Sequence, residues 1–263
     1  MLPAFSLFGK DIGAYSVCAV AGILAAGFFA CYQARKKLLD DNKMITVLLF
    51  ASLGAVIGGS LLYSLTMLPS LVGMYRDGRF TISSFKAAVA AAAYLFGGSV
   101  FYGGLIGGII SGTIYMRRKK YDISAYSDLA APAIPLFHVF GRIGCFLGGC
   151  CYGIESKYGF IYTHSLIESA NGVRRFPVSL LEAGFNLLLF IFLFLLSRSG
   201  RMKGKLLFCY LLIYSPVRFF LEFLRGDEYR GWVLSLSTSQ FISILVFFTA
   251  AALFHTKLRV RSI

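Results

Sequence analysis

Pro177-Val-Ser-Leu-Leu-Glu182-Ala-Gly-Phe-Asn186-Leu-Leu-Leu-Phe-Ile-Phe-Leu-Phe-Leu-Leu-Ser197 holds a single ionisable residue. A helix that crosses a bilayer needs about 20 mostly apolar residues, and this stretch meets that requirement. Six further runs do the same: roughly 12–33, 45–67, 86–115, 126–150, 206–224 and 234–255. The whole chain shares this character. Of its 263 residues 57% are hydrophobic and 14% charged, with mean hydropathy +0.73. Soluble domains average about 45–50% apolar and 25% charged residues. Disorder is excluded, because its signature is low hydrophobicity. A soluble enzyme is excluded for the opposite reason. The expected architecture is an all-α integral membrane protein with seven transmembrane helices, residues 1–263 forming a single polytopic membrane domain. No internal repeat is visible, which disfavours a repeat-built transporter. Met1-Leu-Pro-Ala-Phe lacks the basic start of a signal peptide, so the first apolar run is expected to be retained.

The chain carries 26 Lys and Arg against 12 Asp and Glu. In a soluble protein that excess would suggest nucleic acid. Here it sorts by loop. One alternate set holds Arg35, Lys36, Lys37 and Lys43; Arg117, Arg118, Lys119 and Lys120; Arg198, Arg201, Lys203 and Lys205; and Lys257, Arg259 and Arg261. The opposite set is poorer: Lys10, Arg76, Arg79, Lys86, Lys157, Arg174, Arg175, Arg225 and Arg230. Cytoplasmic loops are the basic ones. The N-terminus is therefore expected outside and the C-terminus in the cytoplasm, with long outer loops at about 68–85 and 151–176. Most of the charge is then topology, and no nucleic-acid partner is called for.

Four ionisable residues within spans or at their edges demand explanation: Arg142, Glu182, Arg218 and Glu222. A charge at the bilayer centre costs at least about 2.5–3.5 kcal/mol, so such groups face the protein interior and pair. Two structural ion pairs are the plain reading. A second reading comes from Tyr214-Ser-Pro-Val-Arg218-Phe-Phe-Leu-Glu222-Phe-Leu-Arg225. There Tyr214, Arg218, Glu222 and Arg225 share one helical face. Two arginines and a tyrosine on one stripe suit an anionic group, because guanidinium holds phosphate in a bidentate fork. Gly141-Arg142-Ile-Gly144-Cys145-Phe-Leu-Gly148-Gly149-Cys150-Cys151-Tyr152-Gly153 adds another arginine amid dense glycine. Such glycine permits close helix contact, or a broken backbone shielded by protein or a cavity. Gly97-Gly98-Ser-Val-Phe-Tyr102-Gly103-Gly104-Leu-Ile-Gly107-Gly108 reads first as small-residue helix packing.

Taken in order, three of these blocks resemble the prolipoprotein diacylglyceryl transferase family. They are Phe101-Tyr-Gly-Gly-Leu-Ile-Gly107, Gly141-Arg142-Ile-Gly144 through Gly153, and Arg218-Phe-Phe-Leu-Glu222-Phe-Leu-Arg225. Ser127-Asp128-Leu-Ala-Ala-Pro132, Phe176-Pro177-Val-Ser-Leu-Leu-Glu182-Ala183, Leu236-Ser-Thr-Ser239-Gln240-Phe-Ile-Ser243 and Tyr15 fit the same pattern, which runs over about 15–245. The resemblance implies a multi-pass enzyme of the bacterial cytoplasmic membrane. It would move a diacylglyceryl group from phosphatidylglycerol, among the surrounding membrane lipids, to the lipobox cysteine thiol of a secreted preprolipoprotein. A thioether forms and glycerol phosphate leaves; no cofactor, metal or nucleotide is implied. The carried-over catalytic residues are Tyr102, Arg142 and Arg218. Tyr15, Gly103, Gly104, Gly153, Glu182, Tyr214, Glu222 and Arg225 are the implied substrate-binding set. Glu222 would hold Arg218 and Glu182 would orient Arg142, while Tyr214, Arg225 and Tyr15 line the outer entrance. Asp128 is expected to cap the start of its own span.

The chain departs from the family at three positions. Tyr102 stands where a histidine is frequent, Cys145 where asparagine is, and Cys150 where glutamate is. The general base is thereby left unassigned, since a tyrosine has an ordinary pKa near 10. Two rival functions follow: a relative with a changed acceptor, and an anion transporter or channel using Arg142 and Arg218. Few polar residues in the cytoplasmic halves of spans two, five and seven count against the latter. Cys150 and Cys151 can be packing residues, a redox or disulfide pair with Cys145, or metal ligands. His138 lies four residues before Arg142 and can reach the same site.

Overall fold

The computed structural model describes residues 3–7, 10–79, 81, 84–165, 167–200, 202–227, 232–233 and 235–259. Arg201, Arg230 and Arg261, counted in the charge sorting, lie outside the described residues, as do the side chains of Lys10, Lys257 and Arg259. The described helices are α1 (Ala14–Lys36), α2 (Asp41–Arg76), α3 (Phe85–Phe96), α4 (Phe101–Arg118), α5 (Ile123–Gly148), α6 (Val178–Ser199), α7 (Leu206–Leu221) and α8 (Thr238–Arg259). Three antiparallel strand pairs decorate them: β1 (Ala4–Leu7) with β2 (Lys10–Gly13), β3 (Glu155–Ile161) with β4 (Arg174–Arg175), and β5 (Trp232–Val233) with β6 (Leu236–Ser237). Large apolar side chains stay exposed along the helices, among them Leu24, Phe28, Val56, Leu188, Phe220 and Phe248. Apolar belts of this extent on long helices are lipid-facing surface. The protein is an all-helical, multi-pass membrane protein.

Six helices are long and apolar enough to span a bilayer, and the count reaches seven if α3 and α4 are one bent span. The run expected as a single span over 86–115 corresponds to this bent pair. Its two halves meet at 83°. Hydropathy is continuous through Gly97-Gly98, so composition alone shows no boundary. The backbone does: glycine weakens a helix by about 1 kcal/mol relative to alanine. The break is then held from outside, where Val100 N–H donates to Gly59 O at 3.1 Å. Gly98 lies so close to the Tyr63 ring that a Cβ would overlap it. The second span, expected over 45–67, runs the full 36 residues of α2 through Pro69. That is about 54 Å at 1.5 Å per residue. The first half of the expected 68–85 loop is thus helix, to Arg76.

The chain forms two compact units: residues 1–41, 124–229 and 239–263, and residues 42–123 with 230–238. In the second unit α2 and α4 pack through glycine. A Cβ on Gly103 would strike Gly58 O, and one on Gly107 would strike Gly54 O. Ser111 continues the row and donates to Phe50 O at 2.7 Å. Residues four apart share a helix face, so small side chains at that spacing let two backbones touch.

In the first unit, Gly22 lets α1 approach α5, with Phe137 O 3.2 Å from where its Cβ would be. Phe29 meets Phe190 and Phe194 of α6 edge-on, at centroid distances of 5.0 and 5.7 Å. Lys37 Nζ donates to Ser197 Oγ at 2.7 Å. Asp128 departs from its expected role. It is buried on α5 and accepts hydrogen bonds from Gly204 N–H and, at 3.0 Å, from Leu206 N–H. It therefore serves the start of α7, where Leu206 N–H is an orphan amide of the first turn and Gly204 N–H lies just before it.

Candidate active site

Three helices of the first unit converge on one carboxylate. Arg142 Nη2 of α5 lies 3.0 Å from Glu182 Oε1 of α6. Tyr214 Oη of α7 donates to the same oxygen at 3.1 Å. Arg142 Nε donates to His138 Nε2 at 3.2 Å. The histidine accepts on Nε2, so its proton sits on Nδ1 and the ion pair is arginine with glutamate. The His138 and Tyr214 rings lie 5.3 Å apart. Asn186 Nδ2 donates to Glu182 O at 2.8 Å, fixing the α6 turn below the carboxylate. Glu182 is 1% exposed and Arg142 7%. Such burial favours a charged pair only when further hydrogen bonds satisfy it, as they do here.

Arg218 Nη2 pairs with Glu222 Oε2 at 2.8 Å and donates to Ser239 Oγ of α8 at 2.9 Å. Its other amino group, Nη1, is buried without a hydrogen-bond partner among the described residues. The expected stripe through Arg225 is interrupted. The α-helix ends at Leu221, Glu222–Leu224 form a 3₁₀ turn, and Arg225 forks onto Asp227 at 3.0 and 2.6 Å. Tyr214 is completely buried, at 0% exposure.

Tyr15 is half-exposed near the start of α1 and packs on Gly144, whose Cβ would lie 3.2 Å from the Tyr15 Cα. Gly153 forms an antiparallel bridge with Arg225, flanked by Ile154 N–H to Leu224 O and Gly226 N–H to Tyr152 O, both at 3.0 Å. A Cβ on Gly153 would collide with Phe176 O. The strand after α5 is thus clamped between the chain entering α6 and the chain leaving α7. Beside it Tyr152, Tyr162 and Ala170 form a small core, with the Arg175 guanidinium 4.3 Å over the Tyr152 ring. Tyr102, Gly103 and Gly104 belong to the second unit. Tyr102 is buried in the first turn of α4, and Gly103 is spent on the α2 contact.

The glycine-rich block stays helical through Gly148 and breaks only at Gly149, φ +72°. Beyond it Cys145, Cys150 and Cys151 bring their sulfur atoms within 4.8 Å of one another. Thiol hydrogen bonds from Cys145 and Cys150, aided by the Arg225 and Arg142 charges, hold Cys151 well below the ordinary thiol range despite burial.

A family model described as prolipoprotein diacylglyceryl transferase matches residues 3–256. The chain belongs to that family. Among curated relatives, a protein of Clostridium tetani is 34% identical over 253 residues, covering 95% of both chains. One from Clostridium perfringens is 33% identical over 258 residues, covering 95% of this chain and 92% of its own. A third, from Campylobacter jejuni, is 28% identical over 263 residues, covering 94% and 90%. All three are named as phosphatidylglycerol–prolipoprotein diacylglyceryl transferases, the second with the suffix 2. In this prolipoprotein diacylglyceryl transferase family member, sequence reasoning passed over Asn186 and the contact of Ser239 with Arg218. Asn186 follows Glu182 by four residues in an otherwise apolar run, a signal of the same kind as the charges themselves.

Proposed function

We propose that this protein is an integral-membrane transferase of the bacterial cytoplasmic membrane, N-terminus outside. It moves the diacylglyceryl group of phosphatidylglycerol to the lipobox cysteine thiol of a preprolipoprotein. The acceptor sulfur forms a bond to the glyceryl carbon, the carbon–oxygen bond breaks, and glycerol phosphate departs with the electron pair. Family membership over nearly the whole chain carries this reading. The buried charges supply its physical sense. Arg142 and Arg218 are desolvated cations, each steadied by a carboxylate, and Arg218 keeps one amino group for a ligand. The phosphate gains charge as it leaves. Arginines that tighten on it stabilise the transition state more than the ground state, which is the condition for lowering the barrier. Tyr102, Arg142 and Arg218 are the proposed catalytic residues, and Tyr15, Gly103, Gly104, Gly153, Glu182, Tyr214, Glu222 and Arg225 the proposed substrate-binding set.

The test is mass spectrometry of a lipobox peptide after incubation with purified protein and phosphatidylglycerol. A mass gain of one diacylglyceryl group on the cysteine is expected, and none with Arg142→Ala. An unmodified peptide with the lipid still bound would replace this reading by the changed-acceptor one. Anion flux through liposomes without transfer would favour the transporter.

A further inference from the structure

We propose that Cys145, Cys150 and Cys151 form a zinc(II) site with an open fourth position, and that this position takes the acceptor thiol. The second half rests on the transferase reading above; the first half does not.

The geometry begins with the end of α5. Gly149 adopts the left-handed conformation, Cys150 N–H donates to Cys145 O at 3.1 Å, and Gly149 N–H donates to Phe146 O at 3.2 Å. These two bonds define a Schellman motif, which folds the residue after the glycine back onto the last helical turn. An apolar pair ordinarily meets there. Here the pair is two cysteines. Cys151 follows with φ +52°, a left-handed conformation uncommon outside glycine. An extended backbone at this point would send neighbouring side chains to opposite faces. The turn instead collects both sulfurs beside that of Cys145, all within 4.8 Å, with no disulfide among them.

Zinc–sulfur bonds of about 2.3 Å set tetrahedral sulfurs about 3.8 Å apart, so closure needs side-chain rotation of about 1 Å at most. Three thiolates are a soft ligand set suited to a d¹⁰ ion. Among the described residues, no other group of three or more His, Cys, Asp or Glu has this geometry. Three protein ligands with the fourth position open is the arrangement of catalytic rather than structural zinc.

The chemistry suits the missing base. A thiol that coordinates zinc is deprotonated outright. Its proton passes to water, the bound thiolate sulfur attacks the glyceryl carbon, and the carbon–oxygen bond breaks toward the phosphate. Arg142, three residues before Cys145, shares that helix face. One ligand of the site and a phosphate-binding cation are thereby one turn apart on α5, and no histidine or deprotonated tyrosine is required.

Two readouts test this without relying on activity. Elemental analysis of the protein, purified in detergent with a non-chelating reductant and added zinc, is expected to give one zinc per chain. A Cys150→Ser/Cys151→Ser variant of unchanged monodispersity should lose it. Cobalt(II) loaded into the wild-type protein should show the intense bands of a tetrahedral thiolate site. A cysteine-containing lipobox peptide should raise the thiolate-to-cobalt band by about one third; the serine peptide should leave it unchanged. Zinc retained by the double variant, or no metal bound by the wild type, overturns the site. A cobalt spectrum indifferent to the cysteine peptide overturns the acceptor role. Full transfer by rigorously metal-free protein would do the same while leaving the transferase reading intact. A loaded site that binds the thiol, with no lipid transferred, would instead sink the transferase reading alone.

Discussion

Arg142 on α5 and Glu182 on α6 meet at 3.0 Å, and Tyr214 on α7 closes on the same carboxylate oxygen. Removing one partner of a buried pair leaves the other charge without compensation, at a cost of about 3–5 kcal/mol. Glu182→Gln is therefore expected to lower thermal stability in detergent and to cut transfer at least tenfold. Tyr214→Phe removes one hydrogen bond to a charged group, worth about 1.5–3 kcal/mol. It should sit between wild type and Glu182→Gln in both melting temperature and rate. A Tyr214→Phe protein less active than Glu182→Gln would contradict this ordering.

Arg218 meets Glu222 and Ser239 through Nη2, while Nη1 is buried without a hydrogen-bond partner among the described residues. Lysine can satisfy Glu222 but cannot also present a fork to phosphate. Arg218→Lys is expected to fold normally and to lose about 2 kcal/mol of transition-state stabilisation, roughly 30-fold in kcat/KM. Initial rates over a phosphatidylglycerol titration in mixed micelles would measure it. A change within twofold would remove Arg218 from the site.

The contact between α2 and α4 has no room for a methyl group at Gly103, whereas at Gly112 the nearest atom, Ala51 Cβ, is an ordinary 3.5 Å away. Overpacking costs about 1–3 kcal/mol. Gly103→Ala should lower the melting temperature by several degrees, and Gly112→Ala should leave it unchanged. Equal melting temperatures for the two variants would deny the close approach.

The chain leaving α7 crosses the strand after α5 at Gly153 and Gly226, and a Cβ on Gly226 would overlap Gly153 O. Gly226→Ala must separate two backbones joined by the Gly226 N–H to Tyr152 O bond. Faster limited proteolysis within 154–176 is the expected result. A cleavage rate equal to wild type would show the clamp to be dispensable.

Much of this was legible in the sequence, for a physical reason. Arginine and glutamate are so costly in hydrocarbon that four of them in apolar runs announced a polar centre. Arg218 with Glu222 could even be paired from spacing alone. Spacing alone did not pair Glu182 with Arg142, because α5 and α6 are brought together by packing rather than by periodicity; that assignment came from the family resemblance, and the two residues do meet. The turn at Gly97–Val100 was hidden because hydropathy measures composition, and the break is held by a backbone bond from Val100 to Gly59. The cysteines were visible as a cluster, but their convergence depends on left-handed backbone at Gly149 and at Cys151, of which only the glycine is conspicuous. Asp128 was assigned to the nearest helix start, since a one-dimensional reading has no means of reaching Leu206.

That last contact has a bearing on biogenesis. The carboxylate that completes the first turn of α7 is synthesised 78 residues before Leu206. At about 5–20 residues per second, α5 precedes α7 out of the ribosome by roughly 4–16 s. The earlier helix is thus already waiting when the later one emerges with its leading amides bare. The hydrogen bond from Leu206 to Asp128 can therefore close only after α7 has been made, seconds behind α5.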